Sequence, residues 1–283
     1  MKQLIKEKLK KAGASDSGIA KARIYNELLP RLQSVSTCFS DVLTEKKINP
    51  FLIMDDASSV IVFLVSYKSD LPGNISTYAY GKDYHKVLPE IARPVVELLT
   101  EKGYKAEVFA DTGDLPDRHL AQMAGLGFIG KNHCLIHPEF GSFVFIAHIL
   151  TDMVIDYDEE NNDLCIKCGN CKKACPTGAL VTGDFYSCIS YITQKKGELS
   201  EEEQMLIRDN KMCWGCDICQ ECCPHNKDVP DTEITEFLED LITDFKSLCM
   251  SNREFKKMYS DRAFSWRGKG VLERNFNIIN NKE

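Results

Sequence analysis

The chain has 283 residues, enough for one large or two ordinary domains with a substantial core. Hydrophobic residues make up 43% and charged residues 27%, and no apolar stretch reaches the ~18–20 residues of a membrane span, which excludes a low-complexity chain and a helical membrane protein. The formal net charge of −7 excludes a generic nucleic-acid binder, although residues 244–283 carry nine Lys/Arg against five Asp/Glu.

In chain order, MKQLIKEKLKKAG reads as an amphipathic helix, without the apolar core and small-residue cleavage site of a secretory signal. Residues 1–45 are expected to be mostly helical, with Leu4, Ile5, Leu9, then Ile24, Leu28, Leu29 and Leu32 on one face. The β-branched run SSVIVFLVSY (58–67) predicts a buried strand. Residues 83–101 predict a helix, because Val87, Leu88, Ile91, Val95, Leu98 and Leu99 share a face, with Pro89 and Pro94 predicting a late start or a kink. AEVFAD (106–111) predicts a second strand running into the loop DTGDLP, after which Pro116 suits a first helical turn and Gly125 and Gly127 an ending. Phe143 to Leu150 predicts a third strand. This alternation predicts an α/β layer, and Asp111 then falls just beyond the carboxyl end of a strand, where such folds place ligands. Residues 1–158 form the expected α/β domain, 159–228 a cysteine-rich module and 229–283 a basic helical tail.

Ten of the 13 cysteines lie between Cys165 and Cys223. The first run is Cys165-x2-Cys168-x2-Cys171-x3-Cys175-Pro176, and the second ends Cys216-x2-Cys219-x3-Cys223-Pro224. Such runs hold cubane iron–sulfur clusters: a looping backbone lets three thiolates reach one cube, and the fourth serves the other. With no export signal, so many thiols predict a reducing cytoplasm and metal binding rather than disulfides. The second run needs one more cysteine upstream. Local spacing favours Cys213, with Cys188 in SCISYIT as the rival. Cys222 neighbours Cys223, but the Pro224 after Cys223 matches the Pro176 after Cys175 and selects Cys223. Cys38, Cys134 and Cys249 are expected to be ordinary isolated thiols.

DTGDLPDRHLAQMAGLGFIGKN (111–132), then GSFVFIAHILTD, CGNCKKACPTGAL, CISYITQKKG and GCDICQECCPHN, with YGKDYHKVLPE upstream and SNREFKKMY and SWRGKGVLERN downstream, resemble the epoxyqueuosine reductase family in the same order from about residue 45 to 276. The resemblance implies an α/β (α+β) cobalamin-binding reductase core, similar to that of reductive dehalogenases, with an inserted ferredoxin-like two-cluster module and a short helical C-terminal tail. It implies base-off cobalamin, two [4Fe–4S] clusters and reduction of epoxyqueuosine in tRNA to queuosine. It implies one cluster on Cys165, Cys168, Cys171 and Cys223 and another on Cys175, Cys188, Cys216 and Cys219, so that Cys188 displaces Cys213. Asp111 matches the family's proposed proton donor, where a turn or helix-cap aspartate would otherwise be expected. The implied corrin contacts are Lys47, Leu135, Ile136, His137, Ile189, Ser190, Cys216 and Asp217, with Lys47 standing where the family has arginine. His85 and His133 are not expected to ligate cobalt, because base-off binding in the family needs no protein ligand.

Family members continue past SWRGK…RN into HEAT-like repeats that help grip tRNA, whereas this sequence ends at Glu283. Arg253, Lys256, Lys257, Arg262, Arg267, Lys269 and Arg274 interleaved with Phe255, Tyr259, Phe264 and Trp266 fit two readings equally, a remaining grip on phosphates and bases or a basic helix packed on the core by its aromatics. Gln194, Lys195 and Lys196 match a segment near the RNA. The expected partners are tRNA and an external electron donor such as a flavodoxin or ferredoxin, with no membrane, for a cytoplasmic monomer. A cobalamin-dependent reductase of a small epoxide or halide and a dicluster electron carrier are the alternative functions.

Overall fold

A computed structural model describes residues 1–30, 45–161, 164–245 and 247–280. Cys38 and Leu32 lie outside them. The first helix, α1 (Lys2–Ala12), buries Ile5 and Leu9 and stops at Gly13, whose φ of 112° a side chain would resist. The helical expectation then fails: Asp16–Lys21 is a strand, β1, paired antiparallel with β2 (Ser59–Ser66). Its small residues DSGIAK carry no strong period of either kind, and tertiary fit decides. A Cβ on Gly18 would stand 2.0 Å from the Ala124 carbonyl oxygen, so glycine lets the strand reach its neighbour.

Helix α2 (Tyr84–Glu101) follows β2, and β3 (Ala106–Ala110) follows α2. The helix starts ahead of Pro89 and Pro94 and carries both, instead of starting late. The two forgone backbone hydrogen bonds are offset by a buried face of Val87, Leu88, Ile91, Ala92, Val95 and Leu99. Next come α3 (Asp117–Met123), the hairpin β4 (Phe128–Ile129) and β5 (Leu135–Ile136), and β6 (Val144–Thr151).

The main sheet runs β1-β2-β6-β3 with every neighbouring pair antiparallel. The expected α/β alternation is therefore a split β-α-β unit: β2 and β3 run the same way but flank β6 instead of each other. Both end on one edge, and Asp111 follows β3 there. Alternation along β2 feeds two cores. Ile61, Phe63 and Val65 join Ile5, Leu9, Leu88 and Val95 on one face, and Val60, Val62 and Leu64 join Leu120, Ala121 and Leu135 on the other.

The cysteine region is built from short helices: α4 (Asn170–Ala174), α5 (Ala179–Thr182), α6 (Ile189–Gln194), α7 (Glu201–Asn210) and α8 (Ile218–Glu221). The C-terminal segment adds α9 (Asn252–Tyr259) and α10 (Lys269–Asn280). It lies against the sheet: Phe237, Phe245, Leu248, Phe255, Tyr259, Phe264 and Leu272 belong to the first core. From α10, Asn275 donates to the carbonyls of Thr193 (2.7 Å) and Cys213 (2.8 Å), and Arg274 to those of Lys195 (2.8 Å) and Gly197 (2.5 Å). This segment clasps the core and the cysteine module together.

Candidate active site

Asp111 has φ 60°, a left-handed conformation that aspartate tolerates better than most residues. Its Oδ2 lies 2.5 Å from the Tyr84 hydroxyl, which donates, and 3.8 Å from His85 Nε2. The His85 Nδ1 is 2.7 Å from Asp83 Oδ1, and Asp83 also caps α2 by accepting from the His85 N–H at 3.1 Å. Tyr84 is wedged between the rings of His85 (centroids 4.1 Å apart) and Phe145 (4.3 Å), so its hydroxyl has a fixed aim. The motif YGKDYHKVLPE thus supplies three groups around Asp111. The sequence placed only Asp111 in the chemistry, because contact between α2 and the loop after β3 is a tertiary fact.

Crowding by protein raises the Asp111 carboxyl above its ordinary value; the Tyr84 hydroxyl opposes the rise, Asp117 adds to it, and His85 and Arg118 oppose it. The side chain is still 61% exposed, so water moderates the rise in the open site, and a substrate that excludes water strengthens it. Burial and then the Asp111 charge push the Tyr84 phenol far above its usual range, so it remains a donor. Burial lowers His85, but the hydrogen bond and charge of Asp83, with Asp111, outweigh this and raise it. Behind this loop, Asp117 Oδ1 is 2.7 Å from Nδ1 of His148, which is fully buried and stacked on Phe109 at 5.1 Å.

The twelve cysteines among the described residues are all free thiols. They fall into two neighbourhoods. Cys171 feels Cys165 and Cys168, Cys223 feels all three, and Cys222 lies beside Cys171 and Cys168. In the second, Cys188 feels Cys175, Cys216 feels Cys188 and Cys175, and Cys219 feels Cys134, Cys216 and Cys188. Cys213 joins neither. It is fully buried, its Sγ lies 3.6 Å from the Leu272 carbonyl oxygen, and it points into the first core. Local spacing favoured Cys213 because it cannot sense that inward turn. Cys134, read as an isolated thiol, sits beside Cys219. Cys249 is exposed.

Both neighbourhoods have the chemistry of iron–sulfur sites. Burial raises the Cys175 thiol, but hydrogen bonds from the Leu180 N–H and from Thr177, and from the Ala179 N–H, outweigh this and leave it lowered. The Cys188 sulfur accepts from the Ser190 and Tyr191 N–H groups, Cys216 from Ile218 and Cys223 from His225. Such donors compensate the charge of a thiolate-bound cluster.

The second set is fastened toward Asp111. Asp217, between Cys216 and Cys219, accepts from the Ser76 hydroxyl (2.7 Å), the Thr77 N–H (2.7 Å) and the Gln220 amide (2.9 Å). Trp214 Nε1 donates to the Tyr78 hydroxyl at 2.7 Å, and the Tyr78 ring meets Tyr84 edge-on at 6.3 Å. At Gly215, a Cβ would stand 2.5 Å from that of Ser76, so only glycine admits this approach.

Several residues implied as corrin contacts adjoin the second thiol set. The turn between β4 and β5 meets the second thiol set through Asn132, which donates to the Cys219 carbonyl at 3.4 Å, and meets Phe185 through His133 at 5.0 Å. Arg118 donates to the His133 carbonyl. Leu135, Ile136 and Ile189 are buried, Ser190 is the second residue of α6, and Cys216 lies near Cys188, the cap of that helix. His137 presents no side chain: its Nε2 faces Asp16 Oδ2 at 3.1 Å, and its Nδ1 accepts from the Glu139 and Phe140 N–H groups. Lys47 ends the 3-10 turn Glu45–Lys47 beside the second core. Buried apolar Leu135, Ile136 and Ile189 would suit the face of a corrin, and the nitrogens of His85 and His137 are engaged by carboxylates and N–H groups, which would suit binding without a protein ligand to the metal.

The implied stacking by the C-terminal aromatics is corrected in part. Phe255, Tyr259 and Phe264 are buried and unable to meet bases, whereas Trp266 is 60% exposed with the Arg267 guanidinium 3.7 Å over its ring. Gln194 is buried and donates to the Ser190 carbonyl, and Lys195 pairs with Glu203 at 2.8 Å. Among the described residues no helix is long and apolar enough to cross a membrane.

Residues 164–226 match the family described as a 4Fe-4S double cluster binding domain, and residues 47–112 match epoxyqueuosine reductase QueG. An epoxyqueuosine reductase from Bacillus anthracis is 36% identical over 293 residues, covering 94% of this chain and 76% of that protein. The solved structure of epoxyqueuosine reductase with a tRNA-Tyr epoxyqueuosine-modified tRNA stem loop superposes with a TM-score of 0.89 at 32% identity, covering 98% of this chain and 80% of that one. The catabolic reductive dehalogenase NpRdhA, at 18% identity and a TM-score of 0.53 over 98% of this chain and 36% of its own, shares the fold.

Proposed function

This chain belongs to the epoxyqueuosine reductase family, and we propose that it reduces the epoxide of epoxyqueuosine in tRNA to queuosine, with Asp111 as the proton donor. The observation that carries the reading is the juxtaposition of Asp111, held by Tyr84 beside His85, with a second thiol set fastened to the same edge of the sheet through Asp217.

In this reading Cys165, Cys168, Cys171 and Cys223 hold the outer cluster, and Cys175, Cys188, Cys216 and Cys219 the inner one. Lys47, Ser190 and Asp217, with the backbone of Leu135, Ile136, His137, Ile189 and Cys216, hold base-off cobalamin. When bound, the clusters relay single electrons and the corrin supplies reducing power at carbon. The protein's own work is position and proton supply. The net change breaks both carbon–oxygen bonds of the epoxide, adds two electrons and two protons, forms an alkene and releases water. Asp111, protonated, gives a proton to the oxygen as it leaves carbon. The Tyr84 hydroxyl then stabilises the resulting carboxylate, and solvent on its exposed side returns the proton. A protonated His85, favoured by Asp83, stabilises the same carboxylate. Electrons come from an external carrier, and the protein works as a cytoplasmic monomer.

The test is anaerobic. Protein reconstituted with iron and cobalamin is given a strong reductant and epoxyqueuosine-containing tRNA, and the digested nucleosides are read by mass spectrometry. Queuosine is the expected product. Fully loaded protein that makes none from this tRNA defeats the reading and directs the search to small epoxides or halides.

A further inference from the structure

We propose that the face around Cys165, Cys168 and Cys171 is the docking surface for a small soluble one-electron carrier protein whose redox group is ringed by acidic side chains. This rests on the two-cluster reading above and says where electrons enter.

The two thiol sets differ in what surrounds them. The inner set is tied into the core through Asp217, Asn132 and Gly215. In the outer set the Cys168 thiol is exposed. Leu164 is 74% exposed and Ile166 60%, so the two large aliphatic side chains flanking Cys165 both face water. Two exposed aliphatic side chains flanking a cysteine of the set offer apolar contact to a partner that docks there.

Charge selects the partner. Residues 164–183 contain Lys167, Lys172 and Lys173 and no Asp or Glu, in a chain of net charge −7. All three lysines are exposed, and none has an ion-pair partner among the described residues. Lys167 has φ 57°, a conformation disfavoured for a side-chain-bearing residue, between two cysteines of the set. In the acidic stretch that precedes this segment, Asp158 is taken up by Lys2 at 2.6 Å and Lys6 at 2.9 Å on α1. Exposed aliphatic side chains in the same segment as exposed lysines suit a transient protein interface. On a chain of net charge −7 these lysines would both speed and orient the encounter with an acidic carrier. In each encounter the carrier loses one electron and the outer cluster gains one. Two encounters supply the two electrons of the epoxide reduction.

The experiment uses reconstituted holoenzyme, without tRNA, mixed in stopped flow with photoreduced flavodoxin while the loss of cluster absorbance is followed. The same traces are taken with photoreduced deazaflavin, a small uncharged reductant that needs no docking face. In the Lys167→Glu/Lys172→Glu/Lys173→Glu variant the bimolecular rate with flavodoxin is expected to fall at least ~10-fold at low ionic strength, with the rate no longer declining as salt is added. The deazaflavin rate and iron content should stay at the wild-type level. An unchanged flavodoxin rate overturns the proposal. Should the variant lose iron, carbodiimide cross-linking of wild-type holoenzyme to flavodoxin decides: links at Lys167, Lys172 or Lys173 support the face, and links confined to other lysines overturn it. Because cluster reduction is read without RNA, a failure here is distinguishable from a failure to make queuosine.

Discussion

The two thiol neighbourhoods come from similar sequence runs and live in opposite surroundings. The inner one is bolted to the sheet edge: Asp217 satisfies both carboxylate oxygens on Ser76 and Thr77, Asn132 holds the Cys219 carbonyl, and Asn275 and Arg274 clamp α6 and its following loop from the other side. The outer one gathers about the short helix α4, which carries Cys171, in the segment of exposed Leu164 and Ile166. The difference teaches that matching ligand motifs do not imply matching roles. A redox centre that must hold its distance to Asp111 needs a rigid frame, and one that must meet a partner needs an open face.

Breaking the inner set should have the largest effect. Cys188→Ser is expected to lose about half of the iron and all measurable turnover, read by iron analysis and by electron paramagnetic resonance of the reduced protein. A variant that keeps full iron removes Cys188 from the set. Asp111→Asn tests the chemistry apart from the frame. Iron and cobalamin content should stay at wild-type levels while turnover falls about 10²–10⁴-fold, the usual worth of a positioned general acid. Near-normal turnover would take Asp111 out of the mechanism.

Asp217→Ala tests the bolt itself. Removing a buried carboxylate that serves three donors leaves those donors unsatisfied and should lower stability by about 1–3 kcal/mol. Denaturant unfolding of the holo protein measures this, and the inner cluster should be released ahead of the outer one in the variant, the reverse of the order expected on treating wild type with an iron chelator.

Tyr84→Phe sharpens the comparison in the pH profile. Asp111 works protonated, so turnover falls as pH rises through its raised pKa. The Tyr84 hydroxyl stabilises the carboxylate and opposes that rise, so its removal should move the falling limb to higher pH. A limb that stays put or moves down contradicts the assigned hydrogen bond. The smallest effect is reserved for Cys213→Ser: full iron, wild-type spectra and only a modest loss of stability, because this thiol lies in the apolar core. Loss of one cluster's iron would restore it as a ligand.

Much of this site was legible in the chain. The strand at Ser59–Ser66, the helix at Tyr84–Glu101 and the strand at Ala106–Ala110 announce themselves through long periodic apolar runs. Asp111 follows that last strand, a place that by itself suits a turn or helix-cap aspartate, and the family resemblance is what gives it a chemical role. What escaped was short or nonlocal. Asp16–Lys21 has too few large side chains to show a period, and its strand state follows from an edge of β2 waiting for a partner. Phe255, Tyr259 and Phe264 read as equally suited to bases or to a core, and the core took them because burying three rings beside the sheet removes more apolar surface from water than an exposed platform would.

The sequence by itself determined the ligand chemistry: seven cysteines in two looping runs, with one more upstream of the second, can take thiolate-bound clusters whatever surrounds them, since the spacing is local and the bonds are covalent in character. Tertiary structure decided which thiols meet and what they face. Cys188 and Cys213 are near-equivalent letters in a string, and the burial of Cys213 under Leu272, set by the packing of α10, separates them. The same holds for Tyr84 and His85, which become neighbours of Asp111 because the start of α2, packed on one face of the sheet, meets the loop that follows β3. Side-chain chemistry is written residue by residue, whereas proximity depends on the simultaneous burial of every apolar face and is a property of the whole chain.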